Sequence, residues 1–236
     1  GVAKLSRAPD LFGFMGASQV NLGLVVQSHI NKYGDLKNTS LAVDALSTGF
    51  AFMLREMLEI NGIDHNSYEL IPVGATKARL DSLISGEHSG ALLNPPFTEF
   101  AEASGLKIID NSQSALPTCQ IGVMAACRSW AKENPEALRG FIKAELQAIE
   151  WISNQDNSDS ATKILLNRIP GMDIKAAEAA KQIMLDPIHG IAGSEKINIE
   201  GVKTILDLRS KFGEPKKKLN NPDLYIDLSY YDSARD

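Results

Sequence analysis

Between residues 39 and 110 the period of the apolar positions switches repeatedly. TSLAVDA (39–45) and YELIPVG (68–74) are short apolar runs of strand character. Between them, TGFAFMLREMLEING (48–62) places Phe50, Met53, Leu54, Met57 and Leu58 at three- and four-residue spacing, which predicts a helix closed by Gly62. The alternation continues. TKARLDSLISG (76–86) predicts a helix with Leu80, Leu83 and Ile84 on one face, and SGALLN (89–94) a short buried strand. PPFTEFAEASG (95–105) predicts a helix with proline at its start and glycine at its end. LKIID (106–110) predicts a fourth strand. Strand and helix in turn at this spacing predict an α/β unit with a parallel or mostly parallel sheet.

Beyond residue 111 the character changes. NSQSALPT predicts a loop, and CQIGVMAAC (119–127) a strand of small residues. NPEALRGFIKAELQAIEWI predicts a long helix with Asn134 as N-cap and Pro135 at the first helical position. Its apolar stripe is Leu138, Phe141, Ile142, Leu146, Ile149 and Ile152. Further helices are predicted near 158–168, 174–185 and 198–212, and LYIDLSYYDSA (224–234) as a short strand or turn docked on the body. At the front, LFGFMGA (11–17) and LGLVVQ (22–27) predict two strands joined without a helix.

Composition excludes several classes. The 236 residues are 44% hydrophobic and 22% charged, an ordinary globular balance with room for one large domain or two lobes. A net charge of −5 argues against nucleic-acid binding, and the one basic run, Lys216–Lys218, reads as a solvated loop. No apolar run approaches the ~18 residues of a membrane span. Cys119 and Cys127, in an extended run, stand about 26 Å apart at ~3.3 Å per residue. A disulfide requires Cα atoms within about 7 Å, so the pair is expected to be unbridged. His29, His65, His88 and His189 are scattered, each expected as a surface or capping residue, and no metal-ligand spacing occurs. Neither a metal nor a cofactor is expected.

In an open parallel sheet, ligands bind beyond the carboxyl ends of the strands. Three strand-to-helix junctions fall there: Asp44-Ala45-Leu46-Ser47-Thr48-Gly49, Gly74-Ala75-Thr76, and Asn94-Pro95-Pro96-Phe97. Each carries small or polar residues where first-turn amides point outward, suited to an acidic or strongly accepting ligand group. The ordinary role of such residues is capping alone. Asp44 either bonds the turn that follows it or reads a donor on the ligand, and its charge opposes an anion unless a cation offsets it. Phe97 either stacks on a ligand or joins the core, as do Tyr230 and Tyr231. No nucleophile elbow, P-loop or dinucleotide fingerprint occurs, which favours binding over catalysis.

YGDLKNTSLAVDALSTGFAFMLREMLEINGID (33–64) resembles the segment in which ABC-transporter substrate-binding proteins enter their second lobe. The resemblance is to the type II periplasmic binding proteins of the sulfonate, nitrate and thiamine-precursor class. VGATKARLDSLISGEHSGALLNPPFTEFAEASGLKII (73–109) and RSWAKENPEALRGFIKAELQAIEWI (128–152) are similar to later parts of the same pattern. The resemblance implies two α/β lobes, with a solute held between them and passed to an ABC permease. It implies lobe two over 39–115 and lobe one over 1–38 and 117–236, with crossings near 36–40 and 112–120. The family's opening strand–helix–strand is not matched, so lobe one is expected to be incomplete and helix-rich. Ligand contacts carried over by motif are Ser47, Thr48, Gly49, Asn94 and Phe97, with Ser18 from lobe one; Asp44 and Thr76 join them from the junctions above. A monomer in the periplasm, or outside the cell at the membrane, is implied. The alternatives are an enzyme resembling the thiamine-pyrimidine synthase, whose cysteine-rich motif is not matched by Cys119 and Cys127, and an effector-binding sensor domain.

Overall fold

A computed structural model of the chain describes residues 10–18, 21–169, 171–186, 190, 191, 193 and 195–235; His189 lies outside them. In chain order the elements run β1 (Leu11–Ser18), β2 (Gly23–Val26), β3 (Ser40–Val43), α1 (Gly49–Ile60), β4 (Glu69–Pro72), α2 (Thr76–Ile84), β5 (Gly90–Leu93), α3 (Phe97–Ala103) and β6 (Lys107–Asn111). They continue as α4 (Ser112–Ala115), β7 (Gly122–Cys127), α5 (Arg128–Glu133), α6 (Pro135–Ser153), α7 (Ser158–Arg168), α8 (Ile174–Met184), α9 (Ile199–Phe212) and α10 (Ser229–Arg235). The chain divides into two compact units. One holds described residues of 21–119 with 203–220; the other holds 10–18, 120–202 and 221–235.

The first of these is an α/β unit around a five-stranded sheet of order β4-β3-β5-β2-β6. β3 runs parallel to β4 and β5, whereas β2 runs antiparallel to both β5 and β6. Four strands therefore share one direction and β2 alone opposes them. All four residues of β2 are buried, so its apolar run carries no alternation to reveal its place. Gly23–Val26 pair within this sheet, and residues 21–38 and 203–220 fall in the same compact unit.

One sheet face packs Val25, Ala42, Ala91 and Leu93 against Leu80, Leu83, Ala101 and Leu106, with Val73 and Phe97 at the margin. Strand alternation sends Leu24, Leu41 and Leu92 to the opposite face, all buried. There α1 lies, with Met53, Leu54, Met57 and Leu58 inside. α9 is tied to α1 by Phe212 stacked on Phe52 and by Lys211 Nζ, which reaches Glu56 Oε2 at 2.7 Å and Glu59 Oε1 at 3.0 Å. On α2 the buried face is Arg79, Leu80, Ser82 and Leu83; Ile84, expected inward, is 52% exposed. Gly86 and Gly105 follow α2 and α3 at φ 77° and 84°, a left-handed conformation that glycine adopts without steric cost. His88, expected on the surface, is only 7% exposed and meets Ser40 Oγ through Nδ1 at 3.2 Å.

In the other unit β1 and β7 form an antiparallel pair. Phe12, Phe14 and Met15 pack with Leu138, Ile142, Tyr231 and Ala234, so β1 rests on the later helices α6 and α10. Pro135 opens α6 as expected, but Asn134 donates its side-chain amide back to Trp130 O instead of capping. The tail forms a helix where a short strand or turn was expected. Asp227 Oδ1 accepts the Ser229 amide at 3.0 Å, and Tyr231 and Ala234, three apart, face inward. α7 and α8 are joined by Lys181, 5% exposed, whose ammonium donates to Ser158 O and Oγ and pairs with Glu178. No described helix is long and apolar enough to cross a membrane.

Both cysteines are free, Cys119 buried and Cys127 exposed, as their separation predicts. Burial pushes the Cys119 thiol up to about 11. At pH 8 a thiol reagent is therefore expected to label Cys127 rapidly and Cys119 only after unfolding; equal rates on the folded protein contradict this burial. Ile142→Ala is expected to cost about 2–5 kcal/mol in denaturant unfolding, because it leaves a cavity in a closed core. Ile164→Ala, on the exposed face of α7, is expected to stay within about 0.5 kcal/mol.

Candidate functional site

Strands that run in one direction release the chain at one edge of the sheet. Here β3, β4, β5 and β6 all end on the same edge, and the residues that follow them form a continuous polar rim. β2 enters the sheet from that edge, opposite Leu93 and Asn111.

After β3, Asp44 and Thr48 lock the turn. Thr48 Oγ1 donates to Asp44 Oδ1 at 2.6 Å and accepts from the Ala51 amide at 3.2 Å, which makes Thr48 the N-cap of α1. Asp44 thus orients the capping hydroxyl, a local bond to the side chain of the next turn. Ser47 and Gly49 are exposed beside it, and the first-turn amides of α1 open toward solvent.

After β4 and β5, two junctions two strands apart meet across the end of β3. Thr76 Oγ1 donates to Asn94 Oδ1 at 3.0 Å, and Asn94 Nδ2 donates to Pro95 O at 2.9 Å. Phe97 is half-buried. It packs on the core and meets Phe100 edge-on, the core role rather than a free stacking face.

The fourth exit, after β6, is the short helix α4, where NSQSALPT predicts a loop. Asn111 caps it, and Ser112, 2% exposed, binds the Leu22 amide through Oγ at 2.9 Å. Asn21 Oδ1 accepts from Ser112 Oγ at 3.3 Å, which brings Asn21 to the same edge. Ser18 ends β1, opposite Gly122 in the other unit; its side chain lies outside the described residues.

The rim residue that pattern reasoning misses is Arg79. It is 2% exposed, and its guanidinium spans the rim from beneath. Nη1 donates to Gly74 O at 2.6 Å, and Nη2 to Thr76 Oγ1 at 3.2 Å and Leu92 O at 3.3 Å. Phe50 covers it at 6.0 Å. Asp44, Phe50, Arg79 and Leu92 line one crevice behind the rim, too tight for a water molecule. Burial lowers the Arg79 pKa and the Asp44 carboxylate opposes that shift, so the guanidinium remains a cation. The signal in TKARLDSLISG was an arginine directly before Leu80, on the face that Leu80 and Leu83 mark as inward.

Two larger grooves lie away from the rim. One of about 470 Å³ runs along Asn38–Ser40 and Asn66–Glu69, at the opposite ends of β3 and β4. Another of about 510 Å³ is lined by Asp207, Ser210, Lys211 and Lys216–Lys218. Among the described residues no cluster of histidine, cysteine or carboxylates has metal-binding geometry.

Solved structures share this fold at low identity. The periplasmic nitrate-binding protein NrtA from Synechocystis PCC 6803 matches with a TM-score of 0.76 at 9% identity, over 95% of this chain and 66% of its own. The alkanesulfonate-binding protein SsuA from Xanthomonas axonopodis pv. citri, bound to MOPS, matches with a TM-score of 0.71 at 14% identity, over 92% of this chain and 74% of its own. The desulfurization enzyme DszB shares it more distantly, with a TM-score of 0.58 at 13% identity over 97% of this chain and 78% of its own. No curated protein matches the chain at significant similarity. The α/β architecture is therefore that of the periplasmic binding proteins. A family model matches residues 19–166, more than half of the sequence and all of the 21–119 segment that bears the rim, and the chain belongs to the NMT1-like family.

Proposed function

We propose that this protein binds a small polar or anionic organic solute on the strand-tip rim and delivers it to an ABC-type importer. The observation that carries the reading is the convergence of three junctions on one edge. Thr76 and Asn94 are bonded to each other, and Asp44 joins them through the crevice it shares with Arg79. Exposed Ser47 and Gly49 stand at the open N-terminus of α1 beside them.

Each feature suits recognition rather than turnover. Helix-start amides are fixed donors, and anions are favoured at that end of a helix by about 0.3–1 kcal/mol. Ser47 adds a hydroxyl that no fold contact consumes. The polar side chains around it are already bonded to one another, so the rim keeps its shape without ligand. The hydroxyl–carboxylate contact at the α1 turn, Thr48 Oγ1 to Asp44, is spent on capping α1. Sulfonate- and nitrate-binding proteins share the architecture, which supports solute capture for import, a periplasmic location and a permease as partner. The desulfurization enzyme shows that the fold also accommodates catalysis, so turnover is part of the test.

A thermal-shift panel of alkanesulfonates, aromatic and aliphatic carboxylates, nitrate and pyrimidines tests the reading. A member present at a hundred times its Kd is expected to stabilise the protein by about 2.7 kcal/mol. Ser47→Ala is expected to weaken that member about five- to tenfold, the loss of one hydrogen bond, without lowering the melting temperature of the free protein. A panel without response, or an undiminished response in Ser47→Ala, counts against this site. Product beyond one equivalent of protein identifies an enzyme instead.

A further inference from the structure

Asp44 presents a problem to the reading above. A carboxylate at the mouth of the α1 turn repels the anion that the helix N-terminus attracts. Its Thr48 bond engages one oxygen and leaves the charge in place. Something beneath the rim has to answer that charge if the solute is an acid.

Arg79 is placed to do so. It is the cation that shares the crevice behind the rim with Asp44, and Phe50 and Leu92 close that crevice against water. Arg79 is buried and Asp44 half-buried, so the two charges are screened less than a fully exposed pair. The two nitrogen donors of Arg79 go to Gly74 O, Thr76 Oγ1 and Leu92 O, so the guanidinium is held in one orientation and does not swing out. Those acceptors are neutral and leave its charge uncompensated except by Asp44. Lysine in the same place supplies the charge without the fork.

We propose that Arg79 is the specificity-determining residue of the rim: its buried charge offsets Asp44, so that an anionic solute is bound in preference to its uncharged isostere. The proposal rests on the solute-binding reading and deepens it. Arg79 touches no ligand. It acts by setting the sign of the field at the mouth of the α1 turn, while Ser47 and the helix amides make the contacts. Asp44 then tunes affinity downward.

The test compares acids with their amides. Calorimetric binding of ethanesulfonate and benzoate, set against ethanesulfonamide and benzamide, is measured on the wild-type chain and on Arg79→Met, Arg79→Lys, Asp44→Asn and the double variant Arg79→Met/Asp44→Asn. The wild-type is expected to prefer an acid over its amide. Arg79→Met is expected to weaken the acid about tenfold or more and the amide no more than about threefold, since one buried charge is worth at least that ratio. Arg79→Lys is expected to retain the preference, and Asp44→Asn in the Met background to restore it. Asp44→Asn alone keeps the Thr48 acceptor and is expected to raise acid affinity several-fold, so it carries the test by itself if Arg79→Met does not fold. Equal losses for acid and amide in Arg79→Met overturn the proposal and leave Arg79 a structural tie. So does a drop in acid affinity in Asp44→Asn. A wild-type protein that binds an amide and no acid overturns the proposal and leaves the binding reading standing. One that binds none of the four overturns the proposal, and the binding reading falls with it only if the wider thermal-shift panel also gives no response.

Discussion

Everything in the rim follows from strand direction. Once β3 pairs in parallel with β4 and β5, each chain exit lies at the same edge, and each following helix starts there. Helix starts expose amides that the helix itself cannot satisfy. Four consecutive starts on one edge thus concentrate donors, and the polar side chains beside them must share the space. The Thr76–Asn94 bond across the end of β3 is the direct result: two junctions separated by a strand are close enough to bond. A hairpin sheet of the same residues would have sent alternate turns to opposite edges and built no rim.

The order of the sheet adds a second constraint. β2 enters between β5 and β6, against the direction of all the others. Its entry brings Asn21 and Leu22 to the rim, where the buried hydroxyl of Ser112 ties them to the start of α4. The edge is thus continuous from β4 to β6. Packing supports it from both faces: Leu80, Leu83 and Ala101 lie under one, and the buried stripe of α1 under the other. A rim supported in this way keeps its geometry when empty, which lowers the ordering cost of binding.

The elements most readable in the sequence were those whose burial is periodic. The stripe of α1 follows from spacing alone, and the helices predicted near 158–168, 174–185 and 198–212 are found within a residue of those bounds. Strands buried on both faces were found but not placed, because GLVV carries no alternation and pairing is a long-range choice. The tail was misread because Tyr230 and Tyr231 suit a strand, while the bond between Asp227 and Ser229 starts a helix. At the rim, the three junctions were legible as strand-to-helix turns on one edge, although of their polar side chains only Thr48 caps its helix. Arg79 was not, since a charged residue on an inward face contradicts the burial rule that the rest of α2 obeys. It is tolerated because two backbone carbonyls and a hydroxyl accept its protons and Asp44 faces its charge. Such a residue can be recognised only after the neighbours it requires have been placed.

The overall acidity of the chain does not decide what the rim binds. The net charge of −5 is spread over the whole molecule, and in physiological salt a surface charge is largely screened beyond about 8 Å. At the α1 turn itself the charges in play are the helix amides, Asp44 and Arg79, while Lys77 and Glu99 stand in the first turns of α2 and α3 on the same edge. An approaching anion therefore meets a weakly repulsive surface at a distance and an attractive one at contact. That ordering favours selectivity over capture rate, because long-range attraction raises encounter with any anion, whereas contact chemistry rewards only the solute that fits.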